Sequence, residues 1–292
     1  MLKRSRDGES EKFAVHVLVH RLMGNWVECE DLTTQALTWS FQHIAAVLPT
    51  LDSEDDLREV ISYAGAVLYR NEAAFKKSNI VIDTKARSDV SFIVGQSYLK
   101  EFATGSRLDR YYIERAVRYL EYTCNWQRNH DVADYREQLA SLRALRKAHS
   151  LDPDTVLANR KVIDIQKEIV DLVTRKCPKY DPTRLNEQYS LSIEYVRANN
   201  YEKTVEVLQR VVEETNTLED RDIRRRKSLY QLGKVHQQAA KYREMIKVFE
   251  MLDAIQGTLV DEQVCLEIKE DLRNAYLEVG ELEKGMAVRI DG

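Results

Sequence analysis

Glycine and proline are scarce in this chain, at 10 and 4 of 292 residues. A sandwich or barrel of many strands needs those residues for its turns, and a collagen-like or low-complexity chain needs many more, so both classes are excluded. Long apolar runs are missing too. Nowhere do about 18 consecutive apolar residues follow one another, so no transmembrane helix is predicted. The basic N-terminus, Met1-Leu2-Lys3-Arg4, leads into a segment with His16, His20 and Arg21, which reads as a helix face rather than a secretory signal. Cys29, Cys124, Cys177 and Cys265 lie far apart with no C-x-x-C pair, so neither a zinc site nor a disulfide framework is indicated. A reducing compartment is the expectation, cytoplasmic with the nucleus as the alternative. Basic excess is absent: 44 Lys+Arg against 48 Asp+Glu gives a net charge of −4, unlike a dedicated nucleic-acid binder. No G-x-S-x-G elbow, phosphate loop or dinucleotide turn occurs, so no enzyme and no small-molecule substrate are expected. His16 and His20 are four apart, but no acid stands between them as H-E-x-x-H requires. They read as one face of an amphipathic helix, and no metal or cofactor is expected.

What is present is charge and apolar periodicity. Charged residues make up 32% and apolar ones 43% of the chain, which suits a helix-rich protein. Reading the period between breakers places helices at about 10–23, 26–47, 53–70, 71–87, 88–102, 109–126, 131–149 and 153–176. Asp152 is the expected cap of the last of these, with Pro153 at its first position. Cys177 to Pro182 forms a stiff connector, since each proline holds its predecessor out of the helical region. Further helices follow at about 183–198, 201–214, 220–239, 242–254, 261–279 and 282–289. Fourteen helices with short connections pair into about seven antiparallel hairpins. The expected organisation is a flexible stretch over 1–10, divergent hairpins over 11–176 and regular repeats over 183–292.

Three segments repeat. Leu191-Ser192 and Tyr195 are followed by Asn199-Asn200-Tyr201 and Thr204. Leu232-Gly233 and His236 are followed by Ala240-Lys241-Tyr242 and Met245, with Phe249 beyond. Leu272-Arg273 and Tyr276 are followed by Gly280-Glu281-Leu282 and Gly285. Tyr201, Tyr242 and Leu282 fall 41 and 40 residues apart. A leucine beside a small residue lets two helices approach, an aromatic one turn later fills the crevice, and a tight turn reverses the chain. Val94-Gly95, Tyr98, Ala116 and Leu120 look like a weaker copy, as do Leu22-Met23-Gly24-Asn25-Trp26 and Cys29.

This pattern resembles the tetratricopeptide repeat (TPR) superfamily, with helices longer than its usual 34-residue period gives. The resemblance implies an all-α, TPR-like α-solenoid stabilised by stacking of neighbours. A helical bundle with one repeated half is the rival. In this family ligands lie in a concave groove lined by the first helix of each hairpin. Carried over, that places Tyr189, Ile193, Arg197, Lys227, Tyr230, Lys234, Glu270 and Asn274 on the groove. Tyr189 and Ile193 stand where members that grip acidic chaperone tails carry Lys and Asn, which disfavours such tails. Tyr230 and Lys234, one turn apart, are expected to meet one ligand and to be replaceable without loss of stability. Arg221, Arg224, Arg225, Arg226 and Lys227 form the strongest basic cluster, readable as a solvated helix start or as a rim for an acidic partner or RNA backbone. The expected function is a non-enzymatic scaffold that holds a peptide or helix of a protein partner within a larger complex. An RNA-binding helical-repeat subunit is the alternative.

Overall fold

Apolar positions that recur every three to four residues give each helix one dry stripe to bury against another helix. The computed structural model describes residues 30–47, 60–69, 71–72, 82–103, 110–130, 134–151, 155–216, 223–255 and 262–288. Among these residues there are twelve helices and no strand. The chain divides into two units, Met1–Asp152 and Pro153–Gly292. The expected first helix with His16 and His20, the copy around Gly24, and the cap Asp152 lie outside the described residues.

The first unit contains α1 (Glu30–Val47), α2 (60–69 and 71–72), α3 (Lys85–Ala103), α4 (Arg110–Asn129) and α5 (Tyr135–Ser150). Helix α1 packs on α3, α3 on α4, and α4 on α5. Phe41, Ala64, Val67 and Val90 are fully buried in its core. The expected helix over 71–87 is not observed as such: residues 82–84 are not helical, and α3 begins at Lys85. Tertiary contacts explain the break. The Ile82 carbonyl accepts from Arg87 Nη1 at 2.7 Å and from the Tyr122 hydroxyl at 3.1 Å, so it is not available to a helix ladder. The Arg87 guanidinium lies 3.7 Å over the Tyr122 ring. Thr84 Oγ1 then accepts from the Arg87 N–H at 3.2 Å and caps α3. Ser88, expected to open a helix, is instead inside α3, where its carbonyl accepts from Thr123 Oγ1 at 3.1 Å.

The second unit contains α6 (Thr155–Lys176), α7 (Pro182–Arg197), α8 (Tyr201–Glu214), α9 (Ile223–Gln238), α10 (Tyr242–Ala254), α11 (Glu262–Glu278) and α12 (Leu282–Ala287). Each packs on the next, and α7 also touches α9. Pro182 occupies the start of α7, where its missing N–H costs nothing, and Asp181 caps it by accepting from Thr183 N at 2.7 Å. The three turns α7–α8, α9–α10 and α11–α12 are built alike. Asn199, Ala240 and Gly280 take left-handed backbone at φ 52°, 53° and 82°. The next N–H in each turn, from Asn200, Lys241 and Glu281, donates at 2.9 Å to the carbonyls of Tyr195, His236 and Tyr276. That bond recovers an orphan carbonyl at each helix end and fixes the angle at which the chain returns.

Small residues set how closely paired helices approach. A Cβ on Gly233 would sit 2.1 Å from Cε1 of Phe249, whose ring is fully buried and has nowhere to move. A Cβ on Gly95 would meet Leu120 Cγ at 2.8 Å. Thus the same device closes α9 on α10 and α3 on α4. Where Arg273 replaces the small residue, the partner helix supplies one: Gly285 faces the Arg273 carbonyl, with 3.4 Å left for a Cβ. Gly233→Ala is expected to lower stability by about 1–3 kcal/mol despite the better helix propensity of alanine. In a Phe249→Leu background the same change should cost clearly less. Denaturant unfolding of the four proteins reads both costs, and equal costs in the two backgrounds would contradict the close approach.

Candidate partner-binding surface

Helices α7, α9 and α11 are the first helices of three successive hairpins, so residues spaced by the repeat recur on neighbouring helices. On α7, Tyr189 is half-buried and packs on the core, and burial raises its pKa. Ile193 is half-buried, and Arg197 is exposed and pairs with Glu194 at 3.1 Å. On α9, Arg224 is half-buried and Lys227 exposed. On α11, Glu270 and Asn274 are exposed.

Tyr230 and Lys234 are not idle surface groups. The Tyr230 hydroxyl donates to Glu267 Oε2 at 3.1 Å, and Lys234 Nζ donates to Asp271 Oδ2 at 2.5 Å. Gln237 Nε2 donates to the other Asp271 oxygen at 2.8 Å, and the Lys234 ammonium lies 5.6 Å from the Tyr230 ring centre. Burial works against the Lys234 charge, but the Asp271 carboxylate outweighs it and holds the pKa above its ordinary value. Burial, then the Glu267 hydrogen bond, raises that of Tyr230. The two residues therefore link α9 to α11, and the expectation that they can be changed without loss of stability did not include these partners. Glu267, Asp271 and Gln237 were not singled out from sequence. Their signal is an acid 37 residues after Tyr230 and again after Lys234, which is one repeat less one helical turn.

The basic cluster is not a solvated row. Arg225 and Arg226 are buried at 8% and 6% exposure, and Arg225 Nη2 donates to Asn216 Oδ1 at 2.9 Å. Two of the cations expected on a rim thus point into the protein, and Arg221 lies outside the described residues. Among the described residues no cluster of His, Cys, Asp or Glu is arranged to hold a metal ion, and no helix is long and apolar enough to cross a membrane.

No protein-family model matches this chain, and no curated protein does. Solved structures do. A variant of the nearly identical TPR-like repeats of Podosopora anserina, assigned to a kinesin light chain, aligns at TM-score 0.50 and 19% identity. The match covers 70% of this chain and 93% of that one. The fold is that of a TPR-like α-solenoid. BtubC from P. vanneervenii aligns over 78% of this chain and 86% of its own at 11% identity, with TM-score 0.49.

In this TPR-like stack the aromatic slot at the end of each first helix is filled by Tyr195, His236 and Tyr276. The middle one titrates. His236 is 4% exposed, and its Nδ1 shares a 2.7 Å hydrogen bond with the hydroxyl of Tyr201 in the preceding hairpin. Lys241 Nζ lies 4.5 Å over the same Tyr201 ring. Burial chiefly, and Lys241 in addition, lower the His236 pKa from 6.5, while Glu244 opposes them. The folded state therefore prefers the neutral ring, whereas the unfolded chain takes up the proton more readily. The stability tied to His236 is complete above pH 6.5 and is lost as pH falls toward the depressed folded pKa. A His236→Gln variant should show a flatter stability-against-pH curve just below that value in denaturant titrations. Parallel curves would contradict a buried neutral imidazole.

Proposed function

We propose that this chain is a non-enzymatic scaffold that holds a peptide or helical segment of a protein partner along the first helices of its TPR-like repeats, as a subunit of a larger complex in the cytoplasm or nucleus. The observation that carries the reading is the side-by-side setting of α9 and α11, tied by Tyr230–Glu267 and Lys234–Asp271. Tied helices keep a rigid surface ready for a ligand, which lowers the ordering cost of binding. That surface offers Tyr189, Arg197, Arg224, Lys227, Glu270 and Asn274 together with the Tyr230 and Lys234 network, a mixture of aromatic and charged groups suited to peptide recognition. An RNA reading draws less support, because burial of Arg225 and Arg226 removes two of its cations.

The test uses Lys227→Glu with Asn274→Arg, two exposed positions outside the tie between the helices. Affinity capture from cell extract, with bound proteins quantified by mass spectrometry, should show a defined set retained by the wild type and lost by the variant. Thermal unfolding of the two proteins should coincide. Unchanged capture would remove the surface from the account. Retention of RNA that weakens steeply with salt would favour the nucleic-acid reading instead.

A further inference from the structure

The first unit holds a cleft of about 460 Å³ between α2, α3 and α4, within the usual size of ligand pockets. The chain has 15 tyrosines, and five of them, Tyr69, Tyr98, Tyr111, Tyr112 and Tyr119, line this one cleft. Tyr98 packs edge-on to Tyr112 at 5.7 Å between ring centres and stacks on Tyr119 at 6.0 Å, while Tyr111 stands edge-on to Tyr112 at 5.9 Å. The rings support one another as a rigid wall. Tyr69 and Tyr111, at 59% and 48% exposure, form the rim.

A glycine keeps the cleft open. Gly65 lies in the interior of α2, where glycine costs about 0.5–1 kcal/mol relative to alanine. Packing does not require it: the nearest atom to an added Cβ is the Tyr98 hydroxyl, 3.8 Å away. This sets it apart from Gly95 and Gly233, which neighbouring side chains leave no room to replace. The absent side chain clears space beside Tyr98 rather than letting a helix approach.

The charges select a neutral ligand. Arg115 lies 5.7 Å from the Tyr69 ring centre and 5.2 Å from that of Tyr111, so the position where a ligand cation would meet those faces is filled. Arg115 is in turn held by Glu72 at 3.6 Å, and Glu101 also lines the cleft, which gives an anion no net attraction. What remains are the exposed parts of the Tyr69 and Tyr111 rings at the rim, together with the hydroxyls of Ser62 and Ser97. A polyproline II segment is their complement. Its proline rings stack flat on aromatic faces, its prolines present no N–H, and its carbonyls stay unpaired and accept from hydroxyls.

We propose that this tyrosine-lined cleft binds a proline-rich peptide in the polyproline II conformation, as a second site independent of the repeat surface in the other unit.

The test titrates the full chain with an acetylated ten-residue polyproline peptide by calorimetry, beside a glycine–serine peptide of equal length and a trimethyllysine peptide. Gly65→Leu fills the cleft, and Tyr111→Ala removes a rim ring that is 48% exposed. Saturable binding of polyproline alone is expected, weakened tenfold or more in each variant, with thermal unfolding of Tyr111→Ala like that of the wild type. Polyproline that fails to saturate the wild type, or binds Tyr111→Ala and folded Gly65→Leu as well as the wild type, would overturn the proposal. Tighter binding of either control peptide would overturn it as well.

Discussion

Two antiparallel helices come closest where one of them gives up its side chain, because an ordinary Cβ there would run into the facing side chain. Gly233 does this for α9 against the Phe249 ring, and Gly95 does it for α3 against Leu120. Gly285 lies opposite the Arg273 carbonyl under less pressure, since an added Cβ would stand 3.4 Å from that oxygen and 3.3 Å from Leu277 Cδ2. Close approach in turn fixes the turn, since the chain must reverse within a few residues. Asn199, Ala240 and Gly280 accept left-handed backbone to do so. Gly280 and Asn199 tolerate that backbone by themselves, but Ala240 does not, so there the geometry is imposed by the paired helices.

Once each hairpin is closed, contacts between hairpins decide what surface exists. The aromatic slot at the end of each first helix reaches to another helix: His236 toward Tyr201, and Tyr276 toward Glu250, whose Oε1 accepts its hydroxyl at 2.5 Å. On the other side Tyr230 and Lys234 reach forward to Glu267 and Asp271. Each hairpin is thus gripped by its neighbours through polar groups that a single hairpin could not satisfy, as expected where stability comes from nearest-neighbour stacking. Tyr230 and Lys234 belong both to this link and to the surface proposed to bind a partner, whereas Lys227 and Asn274 on that surface lie outside the link.

Much of the second unit was legible in the sequence because its signals are local. The 41- and 40-residue offsets between Tyr201, Tyr242 and Leu282, the small residue at Gly233 and the connector before α7 each depend on neighbours along the chain. What was not legible depends on residues far apart in sequence. The break over 82–84 is held by Tyr122, some 40 residues away, and apolar periodicity carries no trace of that hydroxyl. The burial of Arg225 and Arg226 could not be read from a run of cations, which looks the same whether it faces water or the protein. The tyrosine cleft draws on three helices, and only the Tyr111-Tyr112 pair with Tyr119 beyond marks one of its walls in sequence.

The central claim is that the candidate surface is part of what holds the second and third hairpins of the repeat together. A double-mutant cycle on Lys234 and Asp271 tests it most directly, with Lys234→Ala, Asp271→Ala and their combination compared by denaturant unfolding. A charge-assisted hydrogen bond that is partly shielded from water should give a coupling of about 1–2 kcal/mol. Additive single effects, with coupling indistinguishable from zero, would mean that the helices stack without this tie and that the surface is only an outer face of the fold.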